Sequence, residues 1–371
     1  VAADYERATA ALADAGRFPS RDLRIVLTPM HGVGGETAVA VLNAAGFADV
    51  TLVAEQAEPD PDFPTVNFPN PEEPGALDLA LEAAARVDAD IVLANDPDAD
   101  RAAVAAKDPD TGAWRMLRGD EVGALLGAHI VARLAAGAGE APGSADTGHA
   151  DHASGGAHAG VFANSIVSSR LLSRIAAAAG YAHEETLTGF KWISRVPGLV
   201  YGYEEALGYC VAPELVRDKD GISAAVLIAE LAAAAKADGR TIFDTLDDLY
   251  LQHGMHASDQ LSIRVADLGL LDAMMNRLRV SPPDSFGSSA VETFVDLAEG
   301  SGHLPPTDGL LYLTRDQTRV IIRPSGTEPK LKCYLEVILQ VESAAELPEA
   351  RQAARTALDH VLGDVREALG L

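Results

Sequence analysis

The stretch "LRIVLTPMHGVGGETAVAVLNAAGF", residues 23–47, decides how the rest of the chain is read. "LRIVL" is a short apolar run ending in a Gly-rich turn, which predicts a buried strand, and the spacing from about Glu36 to Ala45 predicts a helix. The same succession returns in "GVFANSIVSSRLLSRIAAAAGY", residues 160–181: apolar strand, polar turn, helix, and again an Ala-Ala-Gly-aromatic ending. Two copies of one strand, turn and helix unit predict duplicated α/β domains, with a generic βα rhythm as the competing reading. Ahead of the first copy, residues 4–15 carry the pattern of an amphipathic helix.

Toward the C-terminus the pattern changes. From near residue 251 the chain reads as strand "DQLSIRV", helix "LGLLDAMMNRLRV", strands "SAVETFVDL" and "GLLYLT", then "RVIIRPSGTEPKLKCYLEVIL" and an amphipathic helix from about Ala344 to Leu369. That order predicts an α+β domain with an antiparallel sheet. The expected architecture is therefore two similar three-layer α/β domains, 1–117 and 118–250, followed by a smaller α+β domain, 251–371. Between Gly137 and Gly160 the sequence is low in complexity and without periodicity, which predicts a disordered insertion in the second domain. Its histidines, His149, His152 and His158, are metal candidates only if the ordering cost of a flexible segment is overcome.

The net charge of −26 is spread along the chain and argues against nucleic acid or an anionic membrane as partner. An enzyme of anionic substrates fits the same composition if its few cations converge on one cleft. Cys210 and Cys333 have no CxxC spacing, so neither a disulfide framework nor a cysteine metal site is expected, and a reduced cytoplasm is the default location. The N-terminal residues lack the basic end and apolar block of a signal peptide. No apolar run is long enough to span a bilayer.

Four segments carry chemistry. In "VLANDPDADRAA", residues 92–103, Asp96, Asp98 and Asp100 stand at alternate positions directly after an apolar run. Carboxylates this close repel unless a cation lies between them. At the carboxyl end of a buried strand, where open α/β sheets place ligands, three oxygen donors suit a hard cation such as Mg2+. A solvated turn is the alternative, as "KDPDTG" at 107–112 illustrates. An EF-hand is excluded, because Arg101 and Lys107 occupy the positions of its glycine and bidentate glutamate.

In "IIRPSGTEPKLK", residues 321–332, Arg323 offers a bidentate fork, Ser325 and Thr327 offer hydroxyls, Gly326 lets amides turn inward and Lys330 adds charge. These are the parts of a phosphate cradle, against the reading of an ordinary hairpin turn. In "YGYEEALGYCVAPELVRDKDG", residues 201–221, Glu204 and Glu205 are able to accept hydrogen bonds from a sugar diol. Lys219 between two acids suits proton transfer or a plain ion pair at a helix start. "TLTGFKWI", residues 186–193, with Gly189 and Lys191, is uninformative alone.

Together and in this order, the segments resemble the α-D-phosphohexomutase superfamily over essentially the whole chain outside 137–160. "ANDPDADR" looks like its metal-binding loop, "GYEEALGY" its sugar-binding loop and "RPSGTEP" its phosphate-binding loop, which would make the three domains its domains II, III and IV. "TLTGFKW" and "DKDGISAA" look most like the phosphoglucomutase-2 and phosphopentomutase branch. The resemblance implies interconversion of sugar 1-phosphates and 6-phosphates, or of pentose 1- and 5-phosphates, through a phosphoserine and a bisphosphorylated sugar such as glucose 1,6-bisphosphate. It implies Mg2+ on Asp96, Asp98 and Asp100 with Arg101 in the same site, and Glu204 and Glu205 at sugar hydroxyls. Arg323, Ser325, Gly326, Thr327 and Lys330 would hold the non-reacting phosphate, Lys219 would serve proton transfer, and Gly189 and Lys191 would touch substrate. Ala206 stands where many relatives carry serine.

The family's phosphoryl-bearing serine lies in a Thr-Ala-Ser-His-Asn-Pro type loop, and Ser-His-Asn occurs nowhere in this sequence. With Val1 as first residue, the expectation is a chain that begins at domain II and whose serine domain lies upstream or in a separate chain. The competing readings are a non-catalytic phosphosugar-binding protein, and a haloacid-dehalogenase-like phosphatase with Asp96 as nucleophile. The implied partner is a small phosphosugar.

Overall fold

The computed structural model describes residues 1–137, 158–265, 268–302, 304–326 and 329–371. It falls into two compact units: residues 1–168 with 172–246, and residues 169–171 with 247–371.

The first unit contains two sheets with the same wiring. Helix α1 (Ala2–Ala10) precedes a sheet of β1 (Ile25–Thr28), β2 (Val50–Leu52), β3 (Ile91–Asn95), β4 (Ala102–Lys107) and β5 (Trp114–Met116), in the order β2-β1-β3-β4-β5. Helices α2 (Gly35–Ala44) and α3 (Asp78–Val87) make the crossovers, so β1 is parallel to β2 and β3, and β4 returns antiparallel. After α4 (Gly119–Gly137) comes the second sheet: β6 (Val161–Ser165), α5 (Leu171–Ala178), β7 (Ala182–Thr186), α6 (Phe190–Ile193), β8 (Leu199–Glu204) and β9 (Gly208–Cys210). Its order is β7-β6-β8-β9, with β6 parallel to β7 and β8 and β9 antiparallel. Strand order, direction and crossover repeat together, which a generic βα rhythm does not require. Helix α7 (Gly221–Ala237) and the first residues of α8 (Ile242–His253), up to Leu246, complete the region.

β1 and β3 are buried along their whole length, as continuous apolar strands covered on both faces should be. Helix α1 stops at Ala10, well short of residue 15, because the following segment finds other partners. Asp14 accepts from the amides of Gly16 and Arg17 at 3.0 and 3.2 Å, and its own amide donates to Glu230 on α7. Glu230 is fully buried and also takes hydrogen bonds from His129 and Arg133 on α4, at 2.9 and 2.5 Å. One ionised carboxylate thereby ties the end of α1, α4 and α7 together, its burial offset by paired donors.

The second unit is a sheet of β10 (Met255–Arg264), β11 (Ser285–Phe286), β12 (Ser289–Asp296), β13 (Leu310–Thr314), β14 (Arg319–Pro324) and β15 (Lys330–Leu339), in the order β10-β15-β14-β13-β12-β11 with every pairing antiparallel. Two helices, α9 (Leu268–Val280) and α10 (Leu347–Leu369), accompany it. Leu347, Ala354, Leu358, Val361, Val365 and Leu369 form one buried stripe of α10 at helical spacing. At the centre of β15, Glu336 accepts from Ser169 Oγ at 2.7 Å, from Arg170 Nε at 2.6 Å and from the Arg170 amide at 2.8 Å. His256 and Arg319 add contacts at 3.2 and 3.4 Å. Burial alone would raise the proton affinity of this carboxyl; Arg319, His256 and Arg170 together hold it well below the usual range.

Cys210 and Cys333 are free and buried, and burial pushes both thiols up to about 12. No described helix is long and apolar enough to cross a membrane. Of the insertion, residues 138–157 with His149 and His152 lie outside the described residues, whereas His158 is exposed and stacks on Tyr181 at 4.9 Å.

Candidate functional site

The equivalent turns of the two repeats carry the acidic clusters. β3 runs into residues 96–101 and out along β4; β8 runs into residues 205–207 and out along β9. Both turns contain a non-glycine residue in the left-handed region, Ala99 at φ 58° and Leu207 at φ 66°. The exits of the turns are joined: Arg101 and Gly208 form an antiparallel bridge, and the Ala102 amide donates to the Leu207 carbonyl at 3.1 Å.

In the first turn, Asp96 is buried, Asp98 exposed and Asp100 half-buried, and one carboxylate oxygen from each lies within 4.8 Å of the others. Asp96 accepts from the Arg101 amide at 2.9 Å and from Arg101 Nε at 2.5 Å. Asp100 pairs with Lys219 Nζ at 2.8 Å. Burial raises the proton affinity of Asp96 in spite of Arg101. Burial also opposes the charge on Arg101 and Lys219, but Asp96 and Asp100 overcome it and hold both cations protonated. The 107–112 turn differs: Asp108 satisfies itself locally, accepting from the amides of Asp110 and Thr111 at 3.0 Å. Three hard oxygen donors on one short turn, with their charge only partly compensated, fit a divalent cation. Behind them, the buried Asn95 donates to the Arg101 carbonyl at 2.8 Å while its Oδ1 has no partner.

Backbone packing fixes this turn. A Cβ on Gly32, in the Gly-rich turn after β1, would overlap Pro97, and the Val33 amide donates to the Pro97 carbonyl at 2.9 Å. A Cβ on Gly221 would overlap the Arg101 carbonyl. Asn70, in the loop before α3, accepts from Arg101 at 3.4 Å.

The two glutamates of the second turn are not equivalent. Glu204 lies 4.0 Å from Lys219, and burial, with Glu205 adding to it, pushes its carboxyl up to about 7. Glu205 instead accepts from Ser165 and Ser168 Oγ, each at 3.1 Å, and its amide donates to Ser168 Oγ at 3.0 Å. Lys219 thus connects the turns, near Glu204 on one side and Asp100 on the other. Gly189 caps the short helix α6 at φ 101°, and Lys191 is exposed with Nζ 5.8 Å from the Trp192 ring. Both follow β7 at the carboxyl end of the parallel strands, the end that also carries Glu204.

In the second unit, Arg323 is the penultimate residue of β14 and Lys330 begins β15, with the Ser325 amide donating to the Lys330 carbonyl at 2.8 Å. Arg323 is the register partner of Lys332, which places a further cation opposite it on the hairpin. Gly326 is exposed, and Thr327 lies outside the described residues.

Sequence reading missed Asn70, Ser165, Ser168 and Lys332. For the serines a signal existed: Ser165 ends β6 and Ser168 lies in the turn after it, which corresponds to the Gly-rich turn of the first repeat.

Two duplicated mixed sheets with acidic clusters in equivalent turns, continued by an antiparallel domain with a basic hairpin, define a phosphohexomutase architecture. The chain belongs to the phosphoglucomutase/phosphomannomutase family: models of its alpha/beta/alpha domain II, alpha/beta/alpha domain III and C-terminal domain match residues 3–112, 119–252 and 263–354. A probable phosphomannomutase of Haemophilus influenzae is 42% identical over 332 residues, covering 90% of this chain and 63% of its own length. A phosphopentomutase of Mus musculus is 35% identical over 340 residues, covering 85% and 52%. Among solved structures, a putative phosphomannomutase from Thermus thermophilus aligns with TM-score 0.64 at 20% identity, covering 98% of this chain and 65% of that one. The phosphoglucomutase parafusin from Paramecium aligns with TM-score 0.66 at 19% identity, covering 99% and 63%. The chain therefore spans between half and two-thirds of the length of these relatives.

Proposed function

We propose that this chain supplies the metal-, sugar- and phosphate-binding parts of a phosphosugar mutase that interconverts hexose 1-phosphate and 6-phosphate through a phosphoserine and glucose 1,6-bisphosphate. Pentose phosphates are the alternative substrate class within the same chemistry. The observation that carries the reading is the joining of the Asp96–Asp98–Asp100 turn to the Glu204 turn through Lys219 and the Arg101–Gly208 bridge.

Asp96, Asp98 and Asp100 would hold Mg2+, which supplies Lewis-acid stabilisation of phosphoryl oxygens. Arg101 and Lys219, held protonated, contribute further positive charge to an anionic substrate. Glu204, changing charge near neutrality, is suited to accept a proton from a sugar hydroxyl, whereas Lys219 enters as a donor. Glu205, occupied by two serine hydroxyls, orients the turn. Arg323, Ser325, Gly326 and Lys330 would grip the phosphate that does not react, with Thr327 assigned from the motif alone. Gly189 and Lys191 are assigned to substrate contact.

The test combines binding and turnover. Asp98→Asn should abolish Mn2+ binding, and Arg323→Ala should weaken glucose 1,6-bisphosphate binding by about 1.5 to 3 kcal/mol, the scale of a hydrogen bond to a charged group. Conversion of glucose 1-phosphate to glucose 6-phosphate should require the serine-bearing domain to be supplied. Binding without turnover in its presence would favour a non-catalytic phosphosugar-binding protein, and release of inorganic phosphate that depends on Asp96 would favour a phosphatase-type nucleophile.

A further inference from the structure

We infer that Tyr5, on helix α1, is a positioning residue for the aspartate turn and acts on it through Asp220; the inference rests on the reading of that turn as a metal site. The Tyr5 hydroxyl lies 2.8 and 2.9 Å from the two carboxylate oxygens of Asp220, across 215 residues of sequence, and donates to them. Asp220 is only 5% exposed and caps α7, accepting from the amides of Ile222 and Ser223 at 3.1 and 3.3 Å. Tyr5 is thus the side-chain donor that completes a carboxylate otherwise held by helix amides.

What makes the contact more than local packing is the position of Asp220 between two residues that touch the aspartate turn. Lys219, one residue before, pairs with Asp100 at 2.8 Å. The Gly221 amide, one residue after, donates to the Ala99 carbonyl at 3.1 Å, and the Asp220 amide donates to Tyr209 on β9 at 3.0 Å. Ala99 sits between Asp98 and Asp100 in the left-handed region, a conformation that an L-residue keeps only when its surroundings hold it there. Gly221 is that support. Its backbone approaches the Arg101 carbonyl so closely that no side chain fits, so a small displacement of residues 219–221 changes the shape of the turn. Tyr5 fixes where those residues sit, and with them the spacing of the three carboxylates.

The test measures Mn2+ affinity of the whole 371-residue chain by electron paramagnetic resonance, well below its unfolding transition. Tyr5→Phe keeps the ring and removes only the hydroxyl. Ala10→Gly loosens the same helix at a buried position in the neighbouring turns and serves as the control for a merely structural role. Tyr5→Phe should weaken Mn2+ binding about threefold to tenfold, within the range of couplings carried by contact networks, and should speed hydrogen exchange at the Gly221 amide. Ala10→Gly should lower the melting temperature and leave both readouts within about twofold. Unchanged or tighter binding by Tyr5→Phe, or an equal loss in Ala10→Gly, overturns the inference. Asp98→Asn separates the two levels: if it leaves Mn2+ binding intact, the metal site falls and the inference with it. If it abolishes binding while Tyr5→Phe changes nothing, only the role of Tyr5 falls.

Discussion

Glu204 gives the most direct physical test of the site, because its environment opposes its own charge. Burial, reinforced by Glu205, raises the carboxyl from 4.5 to about 7 even with Lys219 4.0 Å away. Each tenfold change in proton affinity corresponds to about 1.4 kcal/mol, so the ionised form carries a penalty of about 3 kcal/mol in the folded state. The sign follows from the order of the two titrations. Below pH 4.5 the carboxyl is protonated in both folded and unfolded chains, and no penalty exists. Between 4.5 and about 7 the unfolded chain releases the proton while the folded chain keeps it, so stability falls as pH rises; above 7 the full penalty is present. Glu204→Gln keeps the shape and removes the titration. Urea unfolding of the two proteins, with chelator to exclude divalent cations, should give a variant that gains about 2.5 kcal/mol over the wild type between pH 5, where part of the penalty is already present, and pH 8.5. A stability difference that stays constant across that range would refute the argument that burial sets the proton affinity of Glu204.

Two further substitutions probe the packing under the glutamate turn and the buried carboxylate of the second unit. Gly119→Ala at the start of α4 drives a Cβ into the Glu205 carbonyl; it should cost about 1 to 3 kcal/mol of stability by overpacking and weaken glucose 1,6-bisphosphate binding as the turn shifts. Calorimetry and thermal unfolding together check it, and wild-type binding would show that Glu205 can move without consequence. Glu336→Gln leaves the buried Arg319 and the half-buried Arg170 without their carboxylate, and should destabilise the second unit by about 3 to 5 kcal/mol. A loss under about 1 kcal/mol in chemical denaturation would mean that the cations pair elsewhere.

The sequence exposed those parts of the molecule in which one contiguous stretch carries both structure and chemistry. The apolar run ahead of Asp96, the alternation of the aspartates and the Gly-rich turn after β1 are local features, so the strands, their carboxyl-end turns and the antiparallel C-terminal sheet were legible. Contacts between stretches far apart in sequence were not. Nothing around Tyr5 indicates Asp220, and nothing around Glu230 reveals that it draws Asp14, His129 and Arg133 together and so ends α1 five residues before the amphipathic pattern does. The pair Glu204 and Glu205 reads as one feature in sequence. Only the fold separates a carboxylate beside Lys219 from one that accepts from Ser165 and Ser168.

The bridge between Arg101 and Gly208 binds the two repeats at the ends of their equivalent turns. The turns therefore behave as two rulers of fixed length laid end to end. A point substitution in either changes chemistry while leaving the partner in place, whereas adding or deleting one residue in either would push the other out of register. Replacements can accumulate within the glutamate turn without disturbing the aspartates, and length is the property that neither turn can change alone.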